Sequence, residues 1–222
     1  MSDTRKTTMS NKRKAIVTAI LLIPLAIAGF SSWMLFNTET SQEPVRIETR
    51  QATLLPELRS LAPFSLLDHT ETVFDNSRLI GQWTLLSFGY THCPDICPST
   101  LTMLAEMDHK LQKNPAGLPY QVGFVSIDPA RDTTERLSEY VTYFAPDFLG
   151  ITGSEDALKQ LTGPLGILYR KVETEKSAMD YVMDHSASII LVDPQGRYRA
   201  LFSPPHDPAI MADDLLAIGR AD

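Results

Sequence analysis

Cys93 and Cys97 are the only two cysteines in a chain of 222 residues. They sit with three residues between them in SFGYTHCPDICPSTL, after an apolar run and before an amphipathic helical pattern. That placement predicts both sulfurs at one strand-to-helix turn. A thiol there feels the positive end of the peptide dipoles and unpaired N–H donors, which favour the thiolate. Thiolates attack disulfides and ligate soft metals, so thiol exchange and metal binding are both open at this turn. A single structural disulfide is the alternative. Closing so small a loop restricts the unfolded chain little, and Pro94, Asp95 and Pro98 shape a turn that presents the thiols.

A metal site wants a third ligand, and the chain has five histidines. His185 is the strongest candidate, since it follows Tyr181 to Asp184 and precedes the apolar run Ser188 to Val192. Two thiolates and one imidazole suit Cu(I), and could retain Cu(II) with an added oxygen ligand. Zinc would need a fourth partner. From pattern alone, His185 reads equally as a loop histidine that hydrogen-bonds at the start of a strand. His92 adjoins Cys93, but adjacent residues point apart, so it reads as a supporting or surface residue. His69 falls in a hairpin turn, His109 on a solvated helix face and His206 in the polar turn SPPHDP, where no special role is needed.

Two carboxylates complete the candidates. Asp95, between the thiols, could accept a hydrogen bond from a ligand or touch a docking partner; otherwise it is a turn aspartate. Asp128 ends an apolar run and is followed by Pro129, Arg131 and Asp132. Strand-end carboxylates often line the functional edge of an open α/β sheet, although helix capping explains this stretch nearly as well. Met179 and Met183 offer thioethers near His185 or fill core gaps, and Phe88 and Tyr90 are expected beside the site.

The elements that must position these residues follow from periodicity. A hairpin is predicted over Phe64 to Phe74, turning near Asp68 and His69, then a buried strand from Trp83 to Tyr90. Leu101, Leu104, Met107 or Asp108, and Leu111 recur at helical spacing, giving a helix over Pro98 to about Lys113, with Pro98 tolerated in its first turn. Tyr120 to Ile127 reads as a second buried strand. Helices follow over Thr133 to Phe144 and Ser154 to Leu165. Short strands are expected at Gly150 to Thr152 and Leu168 to Val172, a hairpin at Ser188 to Val192 with Tyr198 to Phe202, and a last helix at Pro208 to Gly219. This order predicts a central mixed sheet with helices on both faces, an α/β thioredoxin-like plan. In such a sheet the loop carrying His185 lies opposite the cysteine turn.

Before this domain, residues 1–14 form a basic tail with Arg5, Lys6, Lys12, Arg13 and Lys14, and residues 15–36 are an apolar run able to span a bilayer. The basic residues place the N-terminus in the cytoplasm and the remainder across the membrane. A cleaved signal peptide with a site near Ala26, Ile27 and Ala28 is the competing reading. The apolar run continues past that point, and Trp33 suits a membrane interface, which favours an uncleaved anchor. The tail is too short and too poor in serine and arginine for a mitochondrial presequence, so the expectation is a bacterial inner membrane protein, single-pass, with its domain in the periplasm. Residues 37–57 read as a polar tether and 58–222 as the domain. The chain carries a net charge of −7. Its first 36 residues hold +4, which leaves −11 on the rest, a balance that argues against nucleic acid as a partner.

FGYTHCPDICPSTL, VSIDPARDTTERL, TGSEDALKQL, GILYRKV and YVMDHSASIILVDPQGRYRALF together closely resemble the Sco/SenC family of membrane-anchored copper proteins. The resemblance runs from Pro63 to the C-terminus. It implies a copper chaperone for cytochrome c oxidase, delivering copper to the dinuclear copper A centre of subunit II or reducing that centre's cysteines. The family's ligands map onto Cys93, Cys97 and His185, and Asp128 falls in a DP segment the family shares. One departure is Thr134, where relatives commonly carry proline; it touches a helix start and leaves the ligands intact. Two function classes follow: a metallochaperone holding one copper ion, and a periplasmic thiol-disulfide oxidoreductase that needs only the cysteines. A cysteine peroxidase on the same fold would want an isolated cysteine with an activating arginine, which the motif does not obviously supply.

Overall fold

The structure is a computed structural model that describes residues 47–114, 117–173 and 181–221, together with Phe30 and Trp33. Ile47–Asp222 forms one compact unit. Its elements run β1 (Ala52–Ser60), β2 (Ser65–Asp68), β3 (Val73–Asp75), a 3₁₀ turn (Asn76–Leu79), β4 (Trp83–Gly89), α1 (Ile96–Gln112), β5 (Tyr120–Ser126) and α2 (Thr134–Phe144). The second half continues with β6 (Leu149–Thr152), α3 (Glu155–Thr162), β7 (Tyr169–Glu173), β8 (Tyr181–His185), β9 (Ile189–Val192), β10 (Arg197–Phe202) and α4 (Pro208–Ala221).

Eight strands form a mixed sheet in the order β1-β10-β9-β4-β5-β6-β2-β3. The centre is parallel: β4 pairs with β5 from Trp83↔Tyr120 to Gly89↔Ser126, and β5 pairs with β6. Parallel neighbours need a crossover, and α1 and α2 supply it. β9 lies antiparallel on the other side of β4. Every residue of β4 is buried because both faces of the sheet are covered. Leu85 joins the cluster under α1, α2 and α4, with Leu101, Leu104, Leu137 and Leu215. Its neighbour Leu86 points to the opposite cluster, with Leu158 and Leu161 of α3. Alternation of the strand thus feeds two cores. The result is the thioredoxin-like α/β plan, a mixed sheet with helices on both faces.

Three expectations need correction. The polar tether, expected up to residue 57, gives way to strand from Ala52 onward. β1 pairs antiparallel with β10 through Ala52↔Phe202 and Ser60↔Arg197, at the edge of the sheet. Its outer residues are exposed, so no apolar alternation marks it. Its start is fixed by buried Asp214 of α4, whose carboxylate accepts N–H groups from Arg50, Gln51 and Ala52 at 2.7–3.1 Å. Second, Tyr181–His185 is strand rather than loop, and pairs only with β7. Third, α1 starts two residues earlier than its apolar spacing implies, which takes Cys97 into the helix. The basic tail, most of the apolar run and the first part of the tether lie outside the described residues. Among the described residues no helix is long and apolar enough to cross a membrane.

Candidate metal centre

The end of β4 and the start of α1 are packed unusually close. A Cβ added at Gly89 would sit 2.6 Å from Cys97 Sγ and 2.8 Å from the Phe124 ring. The absence of a side chain at Gly89 is therefore what lets the helix N-terminus reach the strand. α1 also lacks an ordinary cap: Asp95 stands at the N-cap position and its side chain makes no capping hydrogen bond. Cys93 supplies a substitute, its Sγ accepting the Cys97 N–H at 3.4 Å. A sulfur rather than a carboxylate oxygen thus meets the first free N–H of the helix.

Cys97 is only 2% exposed, while Cys93 is half-buried, and both are free thiols. Burial pushes the Cys97 thiol far above its ordinary range, offset only in part by a backbone hydrogen bond at Tyr90. His185 is the last residue of β8. Its Nδ1 lies 2.9 Å from the Ser186 carbonyl, which can only accept, so Nδ1 carries the proton. Nε2 then keeps its lone pair and stands 3.6 Å from Cys97 Sγ. The ligand atoms of Cys93, Cys97 and His185 all lie within 4.8 Å of one another. An ion bonded at about 2.3 Å to sulfur and about 2.0 Å to nitrogen holds its donors about 4 Å apart, so little movement would close the three around it.

The surroundings hold this geometry. Buried Asp132 accepts hydrogen bonds from Thr91 N at 2.9 Å, Thr91 Oγ1 at 2.7 Å and Ser126 Oγ at 2.6 Å. It thereby pins the chain two residues before Cys93. The Tyr90 carbonyl accepts the Cys93 N–H at 3.2 Å, and the Tyr90 ring stands edge-on to His185, centroids 6.3 Å apart. Arg136 reaches Thr91 Oγ1 at 3.4 Å, so an arginine does approach the turn, with its contact to a hydroxyl.

The remaining candidates separate clearly. Asp95 is exposed and offers only its carbonyl, to Ser99 N at 3.2 Å. Asp128 is buried and bound to Arg131 and to the Tyr181 hydroxyl, the latter at 2.6 Å. His92 is exposed and directed at Thr91 and Asp132. His69 accepts Gly150 N–H at 3.0 Å, and His206 Nε2 lies 3.0 Å from the Ala187 carbonyl. Phe88 packs in the core on the sheet face opposite Cys97, whereas Met183 touches both cores. Met179 lies outside the described residues. Sequence reading passed over Asp132 and Arg131 as functional candidates; the only signal for either was its place in the run after Asp128.

Comparison with known proteins agrees with this site. The model of the SCO1/SenC family matches residues 54–219. A mitochondrial SCO2 homolog of Bos taurus is 35% identical over 187 residues, 84% of this chain and 69% of that protein. An SCO2-like protein of Rickettsia conorii is 31% identical over 202 residues, 90% of this chain and 96% of the relative. The crystal structure of ScoI from Arabidopsis thaliana with copper bound superposes with a TM-score of 0.66 at 35% identity, covering 72% of this chain and 96% of that one. With the Cys-Cys-His cluster in place and the match running from within β1 into α4, this chain belongs to the SCO1/SenC family.

Proposed function

We propose that this protein is a copper metallochaperone that holds one copper ion through Cys93, Cys97 and His185 and assists assembly of the copper A centre of cytochrome c oxidase subunit II. The observation that carries this reading is the convergence of two sulfurs and one imidazole nitrogen within 4.8 Å. Soft thiolates select Cu(I), and the neutral imidazole adds a donor acceptable to both copper states. A three-donor set leaves the ion approachable, so a partner's ligand can enter before one of these leaves. The basic tail and apolar run of residues 1–36 support an anchor in a bacterial inner membrane with the domain in the periplasm.

Copper must displace the Cys97 proton, because burial keeps this thiol neutral. Apparent copper affinity is therefore expected to rise about tenfold per pH unit for each proton released. Chelator competition at pH 6, 7 and 8 would read this directly, and a flat profile would contradict thiol proton release. The apo protein is expected to carry the linked effect. A thiol raised in the fold contributes stability below its unfolded value of 9.0, and that contribution is lost as pH climbs above it.

One arrangement favours the oxidoreductase reading. Cys93 is half-buried with a helix N–H on its sulfur, while Cys97 is buried behind it, an order suited to an attacking and a resolving thiol. In that step the Cys93 thiolate opens a partner disulfide, Cys97 displaces the mixed disulfide, and two partner thiols form as Cys93 and Cys97 are oxidised. The copper-free copper A domain of subunit II separates the two readings when it is offered reduced, as a copper acceptor, and with its two cysteines oxidised to the disulfide, as a substrate for thiol exchange. Copper-loaded wild type should transfer its ion, and His185→Ala should transfer at least tenfold less, about the effect of disturbing a metal's supporting shell or more. If the partner is instead reduced at the same rate by His185→Ala without copper transfer, the oxidoreductase reading holds.

A further inference from the structure

β7 and β8 pair with each other and with no other strand of the described structure. An isolated two-stranded hairpin is marginal in water, so side-chain contacts must fix its place on the domain. β8 turns Tyr181, Met183 and His185 toward the body and leaves Val182 and Asp184 exposed. His185 can therefore be no better placed than the hairpin that bears it.

Beside the packing of Met183 and Tyr169, a single basic residue ties the far end of the hairpin to the domain. Arg131, in the loop between β5 and α2, donates through Nε to the Asp128 carboxylate and through Nη1 to the Tyr181 carbonyl at 3.1 Å. Its guanidinium carbon lies 3.6 Å from the centre of the Tyr181 ring. Tyr181 closes the circuit by donating its hydroxyl to Asp128 Oδ1 at 2.6 Å. The same guanidinium sits 5.5 Å from the Tyr90 ring, whose edge-on contact with His185 has been described. At the other end of the hairpin main-chain and Ser186 contacts to Leu168 close the base, and Met183 and Tyr169 pack on the core. A cavity of about 330 Å³, lined by Ile127, Leu158, Tyr169, Tyr181 and Met183 among others, borders the hairpin on the side of Arg131 and Asp128.

We propose that Arg131, clamped between Asp128 and Tyr181, is the positioning residue that latches the β7–β8 hairpin and so sets His185 against the cysteine pair. Its bearing on copper rests on the three-ligand reading above. Removing the guanidinium frees the histidine leg while leaving both sulfurs in place. Cu(II), which depends on the imidazole, is then lost before Cu(I), which two thiolates still hold. Asp128 works through this latch and does not itself contact the donors.

The test uses the whole chain as wild type, Arg131→Met, His185→Ala and the double variant, with Tyr181→Phe as a milder lesion should Arg131→Met fold poorly. In the copper-free proteins, amide exchange over 181–186 is expected to quicken in Arg131→Met and Tyr181→Phe while the central strands stay protected. In Cu(II) competition, Arg131→Met is expected to bind about tenfold or more weakly than wild type. The same change in the His185→Ala background should have no further effect, because the latch acts only through that histidine. Unchanged hairpin exchange, or an equal loss of copper affinity in both backgrounds, would overturn the latch. Failure of wild type to bind copper would instead overturn the ligand assignment, and the exchange measurement would still decide the latch.

Discussion

Cys97→Ala is expected to lower Cu(I) affinity by at least about a hundredfold. Structural metal sites with four protein ligands bind with about 10–16 kcal/mol, so one ligand accounts for about 3 kcal/mol. At about 1.4 kcal/mol per decade, that is two decades or more. The loss should be larger for this residue than for an exposed ligand, since Cys97 is buried at the helix start and no water can take its place. Folding should survive: truncating a small buried side chain costs about 1–2 kcal/mol. Thermal melts with and without Cu(I) check both halves. Copper should raise the wild-type midpoint by mass action and leave that of the variant nearly unmoved. Equal stabilisation of the two would remove Cys97 from the ligand set.

The second large effect is on the fold and reaches the site from behind. Asp132→Ala strips the acceptor from Thr91 N, Thr91 Oγ1 and Ser126 Oγ, all of them buried. A buried donor left without a partner costs about 1–3 kcal/mol, so the expected destabilisation is about 3–5 kcal/mol. Urea denaturation should show a lower midpoint with the slope retained, the signature of lost stability without a changed unfolded state. Because Thr91 stands two residues before Cys93, the surviving folded protein should also bind copper less tightly. A midpoint within experimental error of wild type would show that the Asp132 network does not hold the turn.

These two residues show where the sequence was readable. Cys93 and Cys97 announced themselves, since an apolar run, a proline-rich turn and a helical period leave one place for them. His185 could be paired with them only through the fold, because nothing local ties it to a motif 88 residues earlier. Asp132 and Arg131 were harder, as their partners are Thr91 and Tyr181, 41 and 50 residues away in the chain. A hydrogen-bond partner at such a distance leaves no periodicity. β1 was missed for a different reason. An edge strand with its outer residues in water resembles a linker, and Asp214, which fixes its start, lies 162 residues beyond Ala52. The buried strands and the amphipathic helices stood out because burial on two faces, or on one helical stripe, writes itself into the order of residues.

X-ray absorption at the copper edge of the whole chain, loaded anaerobically with one equivalent and measured beside His185→Ala, tests the ligand set most directly. The expected result for wild type is two sulfur neighbours at about 2.3 Å and one nitrogen at about 2.0 Å, with the nitrogen shell absent from the variant. A copper environment without sulfur, or one identical in the two proteins, would contradict the Cys93, Cys97 and His185 site.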